Sequence, residues 1–501
     1  MRRLLPAIAL AAGVALMLPA SALAAGSRAP RSEPRYEPGP CDDVVPADPR
    51  VECGTLTVPL DRAHPGRGDA TLPVAIIRSA DPDPLPDPIV YFSGGPGGTG
   101  RTAARSFLAQ DLGRRRDVIV FDQRGTGKAT PNLDCPAQID AVWEVLGAAG
   151  TPEDEADTFR DVLRDCRRTL VDQGVDLDMF DTSTTTDDVA DLRRALDIDE
   201  WNLFGVSYGT TVGLEMLRRH PEGVRAVVLD SVYPTTAATD ATQQLDVARR
   251  ALGALFRGCA KDAACAAAYP TFEADLDALV DEWDAQPFET TVSDPATGQP
   301  RTLAITGVDV VAGLWNAMYD ETLIPLLPSL VAPLRARTDF ARTVVEQLAS
   351  GGIDQLAGAA EADFAGVDCA DRQRLNGAPQ DRVAAANPRF AGLLSLATTG
   401  NACDVIRVAS VPAAFNRPVH SRRPVLLYGD EYDPVTPPGN GRAAARTLPR
   451  STFVSTHGLG HGVARANECT RGIFDAFLDD PATAPDVGCA AEMSGPAWVI
   501  G

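Results

Sequence analysis

The sequence predicts an α/β fold: a mostly parallel central sheet whose chain is interrupted by a large helical cap. Three observations predict it. Short apolar runs at residues 88–92, 117–121, 201–204 and 224–229 alternate with helical patterns at 152–172 and 185–196, as in a sheet covered on both faces. From about residue 236 to 418 the texture changes to amphipathic helix rich in Ala, Leu and Asp, with one hairpin pattern near 290–305. Strand patterns then resume at 424–428 and 452–455, before a closing helix at 463–478.

In chain order, Arg2 and Arg3, the apolar stretch 4–18 and Ala22-Leu23-Ala24 read as an export leader covering 1–25. The apolar run is shorter than the ~20 residues a membrane-spanning helix needs. Residues 29–40 are proline-rich and read as loose, and strand-like segments follow at 54–59 and 72–78. The division expected is a core from 26 to 235, a cap from 236 to 418, and a C-terminal part of the core from 419 to 501. The mature chain is expected outside the cytoplasm, free or associated with the cell envelope, with no stable membrane insertion.

Ten cysteines suit export. Sequence does not fix their connectivity; the simplest arrangement joins neighbours, Cys41–Cys53, Cys135–Cys166, Cys259–Cys265, Cys369–Cys403 and Cys469–Cys489. A zinc site is disfavoured because no C-x-x-C pair occurs and only 5 histidines are present, so no metal is expected. The formal charge of −22, about −24 once the leader removes Arg2 and Arg3, repels phosphate backbones and argues against nucleic acid as a partner. The chain is read as a monomer.

Gly205-Val206-Ser207-Tyr208-Gly209 lies between an apolar run and a helical pattern, the signature of a tight strand-to-helix turn that presents a serine Oγ. Both glycines are needed where backbone comes too close for a Cβ. A serine hydroxyl requires a base, and the base an orienting carboxylate. Asp433 follows one C-terminal strand and His461 the next, each at a strand's end and in the order Ser, acid, His. Ser207, Asp433 and His461 are therefore the candidate nucleophile, acid and base. Asp430 and Glu431 compete with Asp433, and His457 competes with His461; His64, His220 and His420 read as surface residues.

The loop Ser93-Gly94-Gly95-Pro96-Gly97-Gly98-Thr99-Gly100 is expected to supply oxyanion donors, the N–H of Gly95 together with that of Tyr208. Asp122-Gln123-Arg124-Gly125-Thr126-Gly127 reads as a structural turn, the alternative being that Arg124 braces the oxyanion loop.

These segments, with Cys53-Gly54-Thr55-Leu56-Thr57-Val58-Pro59-Leu60-Asp61 and Cys469 with Cys489 around the last helix, resemble the secreted tripeptidyl aminopeptidase and prolyl aminopeptidase-like α/β-hydrolases of actinobacteria. The similarity covers most of the mature chain. It implies an α/β-hydrolase fold and a serine exopeptidase that releases tripeptides or single residues from free N-termini of short peptides, without a cofactor. Ser207, Asp433 and His461 fall on the family's catalytic positions. The family's oxyanion loop often opens with His or Asn-Pro, where this chain has Ser93-Gly94. An aminopeptidase needs anions for the substrate ammonium; Asp320, Glu321, Asp368 and Asp371 are the cap candidates, near Trp315 and Tyr319. The alternative function is a secreted carboxylesterase or lipase on the same fold, since a triad does not distinguish ester from amide.

Overall fold

The computed structural model describes residues 33–500 apart from 295, 358, 378–379, 391–392 and 394–398; the expected leader lies outside the described residues. Eleven strands are described in chain order: β1 (Arg35–Gly39), β2 (Val51–Pro59), β3 (Asp69–Ile77), β4 (Leu85–Phe92), β5 (Arg116–Phe121), β6 (Trp201–Val206), β7 (Val224–Asp230), β8 (Phe288–Ser293), β9 (Pro300–Ile305), β10 (Val425–Asp430) and β11 (Ser451–Thr456). Nine form one sheet in the order β1-β2-β3-β5-β4-β6-β7-β10-β11. The β1–β2, β2–β3 and β3–β5 pairs are antiparallel, and every pair from β5–β4 to β10–β11 is parallel.

Burial explains the strand sequences. The six residues of β10, VLLYGD, are all buried, and Leu203, Val227, Val228 and Leu427 are fully enclosed, as helices on both faces of a parallel sheet require. One difference from expectation is β1. Residues 35–39 fall in the stretch read as loose, yet they pair along β2, because an extended Pro-containing segment suits a sheet edge. The helix Pro152–Asp172 begins where its capping box, Thr151 with Asp154, and Pro152 at its first position dictate. The helix expected at 463–478 starts later than its apolar pattern, at Glu468, because Asn467 caps it.

Between β7 and β10 the described residues are mostly helical apart from the β8–β9 hairpin, whose Phe288 stacks on Trp283 at 4.8 Å. Its buried cluster also takes Ala141, Val142, Trp143 and Phe159, which belong to the connection from β5 to β6. The cap is thus assembled from two stretches of sequence, only one of which lies within 236–418. The helix Ala137–Ala148 had no clear signal in the sequence, and it packs on β9.

All five neighbouring cysteine pairs are bridged. Cys369–Cys403 joins the helices Glu361–Arg372 and Thr399–Ile406 within the cap. Among the described residues no helix is long and apolar enough to cross a membrane, and no cluster of three His, Cys, Asp or Glu side chains suits a metal ion.

Candidate active site

The parallel strands bring their C-terminal ends to one edge, where β4 runs into the glycine loop, β6 into Ser207, β10 into the Asp433 loop and β11 into the His461 loop. Ser207 sits between β6 and the helix Tyr208–Arg219 with φ 57° and ψ −125°. This left-handed conformation in a non-glycine residue stores strain, and close packing holds it. A Cβ on Gly205 would lie 2.3 Å from the Gly209 carbonyl oxygen, and one on Gly209 would lie 2.1 Å from that of Phe92.

Asp433 is fully buried. Its Oδ1 accepts from the N–H of Val435 (2.9 Å) and of Thr436 (2.8 Å), while Oδ2 accepts from the Thr436 hydroxyl (2.5 Å) and His461 Nδ1 (3.0 Å). A carboxylate can only accept, so Nδ1 carries the proton and Nε2 keeps its lone pair. Burial pulls the His461 imidazole down, but the charge and hydrogen bond of Asp433 outweigh it and raise the pKa above the usual 6.5. Burial pushes Asp433 up, yet the His461 charge and the surrounding donors hold it below the usual carboxylate range. Ser207 and His461 line the same cavity, and among the described residues neither Ser207 Oγ nor His461 Nε2 makes a hydrogen bond.

The rival candidates are accounted for. The Asp430 carboxylate accepts from the N–H of Tyr432, Leu459 and Gly460 and from the Thr456 hydroxyl, fixing the loop that carries His461. Glu431 and His457 pair with each other at 3.1 Å. His64 and His420 are exposed, whereas His220 is half-buried against Asp187 at 2.7 Å.

Opposite the serine, a Cβ on Gly94 would come 3.0 Å from Ser207 Cβ. The Gly95 N–H, and the N–H of Tyr208 at the first helical position, have no partner among the described residues. The Ser93 hydroxyl donates to the Gly98 carbonyl at 2.9 Å and accepts from Gln123 Nε2 at 3.0 Å, closing the loop on itself. Gln123, not Arg124, is therefore the brace. Arg124 points to Asp188, 2.7 Å away, and to the Met179 carbonyl, while Asp122 accepts from Arg101.

Residues 87–464 match the model of the alpha/beta hydrolase fold family. This chain belongs to that family. The serine protease Hip1 of Mycobacterium tuberculosis is 28% identical over 337 residues, 62% of this chain and 62% of its own length. The tripeptidyl aminopeptidase of Streptomyces coelicolor is 30% identical over 217 residues, 42% of this chain and 39% of its own. The chain thus spans less than two thirds of the length of these relatives. The crystal structure of a proline iminopeptidase from Mycobacterium smegmatis aligns with 85% of this chain and 98% of that one at 17% identity and a TM-score of 0.37.

In this alpha/beta hydrolase the cavity that holds Ser207 and His461 measures about 1140 Å³ and extends into the cap. Of the four expected cap acids, Asp368 lines it. Asp320, Glu321 and Asp371 do not line it. The Asp320 carboxylate caps its own turn through Thr322, and its backbone bridges Gly460. Asp371 is taken by the Thr182 hydroxyl at 2.5 Å, which also meets the Tyr208 hydroxyl at 2.7 Å. The acids that reach the cavity include Glu361 and Asp368, on one helix with Phe364 between them. Spacings of three and four residues were the available sequence signal. Asp368 accepts from Thr239 Oγ1 at 2.8 Å. Glu361 has no partner among the described residues, and burial pushes its carboxyl up to about 7.

Two cap residues also steady the site: Arg250, which carried no sequence signal, and Tyr319, which the sequence placed only beside the candidate acids. Arg250 donates to the main-chain oxygens of Glu431 (2.7 Å) and Asp433. The main-chain carbonyl of Tyr319 accepts the backbone N–H of His461 at 3.2 Å, and the Tyr319 ring lies 5.0 Å from the imidazole.

Proposed function

We propose that the protein is an exported serine exopeptidase that works through an acyl-enzyme on the free N-termini of short peptides. The observation that carries this reading is the Asp433–His461 contact of 3.0 Å at the cavity in which the strained Ser207 stands. Ser207 Oγ adds to the scissile carbonyl carbon while His461 Nε2 takes its proton. Asp433 fixes the tautomer and stabilises the imidazolium. The N–H groups of Gly95 and Tyr208 receive the oxyanion, each worth about 3 kcal/mol in a transition state. His461 then returns the proton to the leaving amine, and water releases the acyl group. The Gly94 position admits this chemistry because any side chain there would meet Ser207.

Peptidase rather than esterase action is supported by the names of the relatives, Hip1 and tripeptidyl aminopeptidase. The unpartnered Glu361 also supports it: a substrate ammonium beside it would compensate a carboxylate that burial disfavours. Export is supported by five disulfides.

The test pairs aminoacyl- and tripeptidyl-anilides with the same substrates N-acetylated, alongside fluorophosphonate labelling mapped by mass spectrometry. The reading expects adduct on Ser207 and cleavage that acetylation abolishes. Cleavage indifferent to acetylation removes the exopeptidase assignment.

A further inference from the structure

We propose that Thr182 and Asp371 are positioning residues for the reaction: together they lock the Tyr208 side chain and so aim the Tyr208 N–H at the developing oxyanion. The inference rests on the reading above, with Ser207 as nucleophile and that N–H as one of two oxyanion donors. The observation that carries it is a chain of three buried side chains drawn from three helices. The Tyr208 hydroxyl lies 2.7 Å from Thr182 Oγ1, which donates to Asp371 Oδ2 at 2.5 Å. Tyr208 opens the helix after the nucleophile, Thr182 opens the helix Thr182–Ala195, and Asp371 stands near the end of the cap helix Glu361–Arg372. Each hydroxyl can both donate and accept, so the chain runs from ring to carboxyl without a bridging water. Asp371 Oδ1 also accepts the Thr182 N–H at 3.4 Å, one of the donors a helix start leaves without an internal partner.

The turn these contacts steady is strained, with Ser207 at φ 57° and ψ −125°. The Tyr208 N–H shares one rigid peptide plane with the Ser207 carbonyl. Any relaxation of Ser207 ψ therefore swings that N–H away from its target. A ring held at one end by the backbone and at the other by Thr182 resists the rotation. Arg372, next to Asp371, donates to the Thr211 hydroxyl at 3.0 Å, a second grip on the nucleophile helix. The other end of the cap helix is tied to the glycine loop, where the Ala360 N–H donates to the Gly97 carbonyl at 2.9 Å. Both candidate donors, Gly95 in that loop and Tyr208, are thus referred to one helix. Misplacement by about 1 Å can cost on the order of 10² in rate, so such a tie bears on turnover.

The experiment measures kcat and KM on a tripeptidyl-anilide together with the rate of fluorophosphonate labelling at Ser207, each well below the melting temperature. The labelling rate decides where the anilide is not a substrate. Tyr208→Phe deletes one oxygen, and Thr182→Val exchanges the hydroxyl for a methyl of similar size. Each should lower kcat and the labelling rate at least about tenfold with KM within about twofold. The two changes combined should be within about twofold of the more damaging single change, because both cut the same chain. Thr182→Ser, which keeps the hydroxyl, should restore most of the rate. Should Thr182→Val not fold, Tyr208→Phe decides alone.

A smaller loss, or a rise in KM in its place, overturns the positioning role while Ser207 still labels in the wild type. So does a double variant whose loss is the product of the single losses, or a Thr182→Ser as slow as Thr182→Val. A folded wild type that neither labels nor cleaves overturns it together with the nucleophile reading.

Discussion

The N–H of Ser207 donates to the carbonyl oxygen of Asp230 at 2.9 Å, and the carboxylate of the same Asp230 accepts from the N–H groups of Val463 (2.9 Å) and Ala464 (2.7 Å). One residue at the end of β7 therefore holds the nucleophile turn with its backbone and the segment after His461 with its side chain. Ser231 adds a further tie, accepting from the Gly462 N–H at 2.8 Å. Asp230→Asn puts an amide NH2 in reach of a backbone N–H, where only an acceptor fits. We expect kcat to fall at least about tenfold with KM within about twofold, measured well below the melting temperature. Loss of thermal stability with unchanged kcat would assign Asp230 a purely structural role.

Asp433→Asn should cost about 10⁴ in kcat, the scale seen when a triad loses the carboxylate that sets the imidazole tautomer. The pH profile supplies a second readout. His461 acts as base only when neutral, and its pKa lies above the ordinary 6.5, so wild-type kcat/KM should climb as pH rises through that higher value. In the variant burial remains while the raising charge is gone. The acid limb of the residual activity should move to lower pH.

Asp363 offers a test of stability against pH. It is 3% exposed, its Oδ1 has no partner, and burial, only partly offset by Arg124, pushes it up to about 8. A folded pKa above the unfolded ~3.9 contributes stability below about pH 4 and loses it as pH rises towards 8. Glu361, at about 7, acts in the same direction. The melting temperature should fall from pH 5 to pH 8. Asp363→Asn should melt above the wild type at pH 8, with the gap narrowing at pH 5, as read by differential scanning fluorimetry.

Ser207 carries strain that glycine would release. With φ at 57°, Ser207→Gly removes the Cβ from a region where L-residues are disfavoured, a gain of about 1–3 kcal/mol. Ser207→Ala keeps the Cβ and should gain little. Both variants should be inactive, so urea melts separate the conformational effect from the chemical one.

Gly94→Ala should fold normally and lose kcat by at least about tenfold. The new methyl would sit 3.0 Å from Ser207 Cβ and 3.5 Å from its Oγ, in the space the substrate carbonyl requires. An unchanged kcat would mean the carbonyl approaches from elsewhere.

The sheet and the order of Ser207, Asp433 and His461 were legible because each rests on local pattern: apolar runs of strand length, a glycine-flanked turn, loops placed after strands. Neighbouring cysteines could be paired for a similar reason, since short loops bring them together. Contacts made only by the folded chain were not legible. Glu361 and Asp368 share their helix with Asp363 and Asp371, and composition does not say which acids face a cavity. Gln123 makes the brace that the sequence offered for Arg124 only as an alternative to a structural turn, because Asp188 claims the guanidinium from 64 residues away. The cap's debt to Val142, Trp143 and Phe159 was hidden likewise, since those side chains reach their partners across the β5–β6 connection.

The Ala360 N–H donates to the Gly97 carbonyl at 2.9 Å, and a Cβ on Gly97 would strike the Ala360 carbonyl at 2.6 Å. The start of the helix Glu361–Arg372 is thereby stitched to the glycine loop beside Ser207, and Cys369–Cys403 anchors the same helix one turn beyond Ala365 and about two beyond Glu361. Any displacement of the start of that helix must consequently break its bond to the glycine loop, so the two segments hold each other in place.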